Sequence, residues 1–194
     1  MQFKFVTAIL LALIADGSLT SCSRHHSKDD QTIRVSSSDA EMNAAIAKAR
    51  ASLPDFWQVY EKREQGESGF SLKVKITDNK KIEHFWVVDV ERKNGKISGS
   101  INNDPDIVQN VKLGDKITVN EPDISDWLYL RNGKMVGNFT LRALFKRMSK
   151  SEVEKYKQML ADLDPNLLNF FRTKTARASG GAFAIVASRL FPAP

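Results

Sequence analysis

Two adjacent runs constrain this chain more than any other feature. In "GFSLKVKIT", Phe70, Leu72, Val74 and Ile76 alternate with Ser71, Lys73, Lys75 and Thr77, the two-residue period of a strand with one apolar and one polar face. "KIEHFWVVDVE" follows at once, with Ile82, His84, Trp86, Val88 and Val90 on one face. Neither strand satisfies its backbone alone, so the pair predicts an antiparallel hairpin. Turn length then sets register, because a slip of one residue turns every side chain to the other face. A three-residue loop, Asp78-Asn79-Lys80, sets Ile76 opposite Ile82, Val74 opposite His84 and Leu72 opposite Trp86. A two-residue loop sets Thr77 opposite Ile82 and mismatches these faces, so the longer loop is expected. Asn94-Gly95 between Lys93 and Lys96 is a type I′ signal, predicting Val90 opposite Gly99 and Val88 opposite Ile101. Beyond it, "KITV" after Gly114-Asp115 reads as a short strand, and "WLYLRNGKMVGNF" as another hairpin around Asn132-Gly133.

Helical patterns flank this meander. Ser38-Asp39-Ala40-Glu41 reads as a capping box, followed by Met42, Ala45, Ile46, Ala49 and Leu53 on one stripe. Pro54 then opens a second short helix, "PDFWQVYEKRE", whose Phe56, Trp57, Val59 and Tyr60 read as core rather than as a ligand-stacking set. Ser149-Lys150-Ser151-Glu152 is a further capping box, ahead of Val153, Tyr156, Met159, Leu160 and Leu163. Asp164-Pro165 starts one more short helix. The fold class is α+β: an N-terminal helix packed on an antiparallel, hairpin-rich sheet, followed by C-terminal helices.

The N-terminus supplies an address. Lys4 precedes an apolar run from Phe5 to Ala15, and small and polar residues follow, the layout of a secretory signal peptide. As a helix the run rises only about 16 Å, roughly half a bilayer's hydrocarbon core, which disfavours a permanent span. Leu19-Thr20-Ser21-Cys22 resembles the bacterial lipobox, and by that resemblance Cys22 becomes the acylated first residue of a mature lipoprotein. A lone cysteine fits, since one thiol forms no internal disulfide. The alternative is an ordinary cut after Ala15-Asp16-Gly17. By the same resemblance, Ser23 favours the outer membrane, with the protein facing the periplasm. The expected organisation is a signal peptide at 1–21, a flexible tether at 22–37, an α+β domain at 38–149 and a C-terminal helical extension at 150–194.

The formal charge of +6 survives removal of residues 1–21, because Lys4 and Asp16 cancel. Export argues against nucleic acid as the partner. The cations read as solvated helix faces, or as a surface that leans on anionic lipid beneath the anchor.

No signature of chemistry stands out. Glycine-rich phosphate loops, paired cysteines, H-x-x-x-H and G-x-S-x-G are missing, so no cofactor or metal is expected. His25 and His26 sit in the tether without further ligands at metal spacing. His84 is the one histidine of the domain; a catalytic use requires a carboxylate from elsewhere, such as Asp104, Asp123 or Asp126. The carboxylates at 104–126 lack the order of an EF-hand and read as turn and cap residues.

Several segments carry a family resemblance: "DAEMNAAIAKARASLPDFW", "GFSLKVKI", "IEHFWVVDV", "GSINNDPDIVQNVKLGDKITVNEPDISDWLYL" and "NGKMVGNFTLRAL". With E-H-x-W, N-x-x-P, V-K-L-G-D and D-I-S-D-W in order, residues 39–149 resemble the bacterial YegJ-type domain, a family of unknown function. The resemblance implies a small α+β domain without an established reaction. It draws attention to Glu83, His84, Trp86, Asn103, Pro105, Gly114, Asp115, Asp126 and Trp127. The expected role is a lipid-anchored, non-enzymatic envelope protein that binds another protein, through a surface formed by Glu83, His84, Trp86, Asn103, Asp126 and Trp127. The alternatives are an envelope hydrolase using His84 with an acidic neighbour, and an immunity-like, toxin-binding protein.

Overall fold

The alternating runs form the centre of a sheet. A computed structural model describes residues 2–3, 33–34, 36 and 38–162. The apolar run, Cys22, the histidine pair and the segment from Pro165 onward lie outside the described residues. The strands are β1 (Gln2–Phe3), β2 (Ile33–Arg34), β3 (Glu67–Asp78), β4 (Lys81–Lys93), β5 (Lys96–Ile101), β6 (Lys116–Val119), β7 (Ile124–Arg131) and β8 (Lys134–Gly137). The helices are α1 (Ala40–Ala51), α2 (Leu53–Lys62), α3 (Phe139–Leu144) and α4 (Lys150–Met159). The sheet runs β2-β1-β4-β3-β7-β8, with β5 beside β4 and β6 beside β5. All pairings are antiparallel except β1 with β4. The α+β expectation holds.

The register of the central hairpin differs from the expected one. Asp78 pairs with Lys81, Thr77 with Ile82, Val74 with Phe85 and Leu72 with Val87. The turn is therefore the two residues Asn79-Lys80, and their φ of +46° and +71° are the left-handed pair of a type I′ turn. Leu72, Val74, Phe85 and Val87 consequently share one face and one core cluster. His84 and Trp86 fall on the other face, opposite Lys75 and Lys73. Asn94-Gly95 and Asn132-Gly133 turn as expected, joining Lys93 to Lys96 and Arg131 to Lys134. Past Glu91–Ser98 the β4–β5 ladder slips by one, so Val88 meets Ser100 and Val87 meets Ile101. The slip is a bulge at Asp89, whose φ is +50°. Gly99 lies across from it, where a Cβ would come within 2.6 Å of Val88 O and Val87 Cγ1.

A second bulge shapes β7. Lys73 pairs with Asp126 but Val74 pairs with Ile124, leaving Ser125 as the extra residue. Ile124 and Trp127, three apart, thus both reach the core, while Asp126 lies beside Lys73 on the opposite face.

The core forms where α1 and α2 cover the first face. Asp39, rather than Ser38, caps α1 by accepting the Met42 amide at 2.8 Å. Pro54 opens α2 as expected. The α2 aromatics are core: Phe56 packs on Trp127 with ring centroids 5.4 Å apart, and the Tyr60 hydroxyl donates to Val90 O at 2.7 Å. Trp127 Nε1 donates to Ala49 O at 2.9 Å, joining α1 to the sheet. Arg50 reinforces that seam, donating to Ile124 O and Pro122 O. A smaller cluster of Met42, Ile46, Leu141, Leu144 and Leu160 joins α1, α3 and the end of α4. The α4 capping box at Ser149 and Glu152 forms in both directions.

Candidate functional site

Three polar constellations sit along β4 and β7, inside the protein. The first is built on Glu83. Its carboxylate accepts the amides of Asp106, Ile107 and Val108 at 3.0–3.3 Å, so three successive N–H groups converge on one buried anion. Charge-assisted bonds of this kind are the strong class. Beside it, Asn103 Oδ1 accepts the Trp86 amide at 2.9 Å, and Asn102 N donates to Trp86 O at 2.8 Å. Together they lay the 102–108 segment along β4 and bring Val108 into the core. Farther on, Gly114 N donates to Ile101 O, Ile101 N to Asp115 O, and Asp115 Oδ2 accepts the Lys112 amide. Replacing Glu83 by Ala leaves these amides facing a void. We expect a loss of about 2–3 kcal/mol, together with faster hydrogen exchange at 106–108. Unchanged exchange there would mean that other contacts hold the loop.

The second constellation is His84 with Ser125. Nδ1 lies 2.7 Å from Ser125 Oγ, which itself donates to Lys73 O at 3.0 Å. With the hydroxyl hydrogen committed to that carbonyl, Nδ1 carries the proton and donates to Oγ. That is the reverse of a base activating a nucleophile. Burial pushes the imidazole down to about 3, aided by the Lys73 and Lys75 cations. The folded protein therefore keeps His84 neutral where the unfolded chain, titrating at its ordinary 6.5, takes up a proton. Stability from this group is full above pH 6.5 and falls as the pH drops toward 3, by at most about 1.4 kcal/mol per pH unit. Urea denaturation at stepped pH checks this, because the wild type should lose more than a His84→Gln variant across that window. Parallel curves would contradict it.

The third surrounds Asp126. Its carboxylate accepts the amides of Trp127 (2.8 Å), Phe139 (3.2 Å) and Thr140 (2.7 Å), and the Thr140 hydroxyl (2.7 Å). A β7 side chain thus caps the start of α3. Lys73 Nζ donates to Thr140 Oγ1 at 3.3 Å, so one hydroxyl bridges cation and anion. Lys73 also lies 5.2 Å from the Trp86 ring centroid. Burial pushes the Asp126 carboxyl up and the Lys73 ammonium down to about 8, leaving Lys73 charged at neutral pH.

The six residues expected to make an exposed recognition patch are therefore interior. Glu83 and Asp126 are 0% exposed, Trp127 1%, His84 2%, Asn103 4% and Trp86 5%. Glu83, His84, Asn103 and Asp126 each make a hydrogen bond to backbone or to a buried neighbour, and Trp127 fills the core. The structure brings His84 to Ser125 rather than to Asp104, Asp123 or Asp126; Asp123 instead pairs with Lys75 at 3.3 Å. Lys73, Ser125 and Thr140 complete the constellations and were not singled out from sequence. Only the D-I-S-D-W motif pointed near them. Among the described residues, no group of three or more His, Cys, Asp or Glu could hold a metal ion, and no helix is long and apolar enough to cross a membrane.

These constellations span the motifs that suggested a family, and comparison with known proteins identifies it. Residues 39–163 match the family model described as "Uncharacterized protein conserved in bacteria (DUF2314)". The chain belongs to that family. Its match runs past residue 149, so α4 lies within the DUF2314 region. The chain is 38% identical over 119 residues to the uncharacterized protein YegJ of Escherichia coli K12, covering 61% of this chain and 76% of YegJ. It is 31% identical over 126 residues to a "Putative ankyrin repeat protein" of Neisseria meningitidis serogroup B, covering 61% of this chain and half of that protein. No solved structure gives a significant match. The Glu83 loop anchor, the His84–Ser125 pair and the Asp126 cap all fall inside the DUF2314 match.

Proposed function

We propose that this chain is a lipoprotein of the bacterial envelope, anchored through an acylated Cys22, whose DUF2314 domain is a non-enzymatic binder of another protein. The observation that supports the non-enzymatic half is the fate of the motif side chains. Glu83, His84, Asn103 and Asp126 are each bonded to backbone or a neighbouring hydroxyl and lie beneath the surface. Chemistry requires a reactive group that substrate can touch, and these groups serve the fold. The anchor is supported by the apolar run before Leu19-Thr20-Ser21-Cys22. Several acyl chains, each contributing about 0.8 kcal/mol per buried methylene, hold a protein firmly where one chain does not. The partner belongs to the same compartment, outer membrane and periplasm.

Intact mass of the protein purified from bacterial membranes in detergent tests the anchor. A chain beginning at acylated Cys22 is expected; an unmodified thiol or an uncleaved chain would remove the lipoprotein reading. Crosslinking in intact cells tests the binding half. A discrete partner is expected, with crosslinks on exposed side chains, and substitution of a buried motif residue should abolish the complex only by unfolding the domain.

A further inference from the structure

The outer edge of β4 is divided among several occupants. Its C-terminal part pairs with β5 and Trp86 bonds the 102–103 segment, while Glu83 and His84 pair with Gln2 and Phe3 of β1. In register, Gln2 lies beside Glu83 and Phe3 beside His84. Trp86 directs its N–H and C=O to this edge. Residues two apart point the same way, so His84 and Ile82 also present their backbone groups to β1.

β1 belongs to residues 1–21, which the lipoprotein reading removes. Processing would strip the partner strand from Glu83 and His84, and a strand edge left without partners for its backbone groups is costly wherever water is excluded. The next strand outward is β2. It pairs antiparallel with β1, which runs parallel to β4, so β2 already runs antiparallel to β4. It needs no reversal, only a shift inward of one strand spacing, about 4.8 Å. Residues 35–39, between β2 and α1, span up to roughly 16 Å when extended and can absorb that shift. Neither β2 nor α1 contains any residue that processing removes.

We infer that removal of residues 1–21 moves Ile33–Arg34 into the place of β1, so that the chain following the lipid anchor becomes a strand of the mature sheet along Ile82–His84. This rests on the lipoprotein reading and adds to it. The tether would then be a tie rather than a free linker, fixing how far the domain stands from the membrane.

The test uses the protein purified from membranes in detergent, with intact mass establishing the processed state and residue-resolved hydrogen exchange reading the edge. In the processed chain, the His84 amide should exchange at least about 100-fold more slowly than an unstructured amide. Replacing Ile33 and Arg34 together by proline, which removes the amides that would tie this segment to β4 and so undoes the strand whose carbonyl accepts from His84, should bring His84 to within about tenfold of the unstructured rate. Val74 and Val87 amides should keep their protection, showing that the fold is intact. A processed chain whose His84 exchanges freely overturns the inference and leaves the anchor standing. So does protection that survives the two prolines, whether a partner's strand or a second copy supplies it; native mass tells these apart. An uncleaved chain overturns the anchor, and the strand exchange with it, and the mass alone reveals that case.

Discussion

Replacing Gly137 by alanine should cost about 2–5 kcal/mol. Two effects add. Gly137 has a φ of +84°, a conformation costing an L residue about 1–2 kcal/mol. A Cβ there would also stand 2.5 Å from Trp127 O and 2.6 Å from two atoms of the indole ring. The indole cannot retreat, because Nε1 is bonded to Ala49 O and the ring is stacked with Tyr129 and edge-on to Phe139. Overpacking of that kind costs about 1–3 kcal/mol more. Gly133 separates the two effects: its φ is +76°, but nothing lies within 4 Å of its Cβ position. Gly133→Ala should therefore lose only about 1–2 kcal/mol. Urea denaturation of both variants decides between them, and equal losses would show that crowding against Trp127 contributes nothing.

Replacing Asp126 by alanine should cost about 3–5 kcal/mol, because it removes one member of a buried, hydrogen-bonded charge pair. The change removes an acceptor from the amides of Trp127, Phe139 and Thr140, and it takes away the carboxylate that fully buried Lys73 reaches through Thr140. Adding Lys73→Met should recover at least about 1 kcal/mol, since the buried charge that faced Asp126 goes too. Losses that simply add would break the proposed coupling. Lys73 sets an alkaline sign as well. It loses its proton at about 8 in the fold and at 10.5 when unfolded, so this group's penalty shrinks, and stability rises, between those values. The Lys73→Met variant should lack that rise.

Much of the local chemistry in the sequence held, although Asp39 rather than Ser38 caps α1. Asn94-Gly95, Asn132-Gly133, the proline opening α2 and the Ser149 capping box all act where they stand, since each requires only its near neighbours. Register failed where alternation was ambiguous. From Glu83 to Val87, β4 is buried at every residue, so apolar side chains occur on both faces, and Ile82 favours the wrong parity. The candidate site was legible as a set of residues but not as a location. Lys73 and Lys75 look identical on the strand, yet one is fully buried beside Thr140 while the other meets Asp123 near the surface. Strand periodicity carries no trace of the long-range neighbours that bury one and not the other. The single extra residue at Ser125 likewise became visible only in the β3–β7 ladder.

That ladder also orders events in time. β3 meets β4 across a two-residue turn, but it meets β7 only after residues 79–123 have been looped out. A chain emerging N-terminus first can close the β3–β4–β5 meander early. Leu72 and Val74 then wait for Trp127 and Ile124, and the Asp126 cap waits longer for Thr140. Pairing β7 with β3 therefore carries a loop-closure cost that the local hairpins do not meet. Until β7 arrives, one side of β3 is a bare edge, open to pairing with another chain's strand.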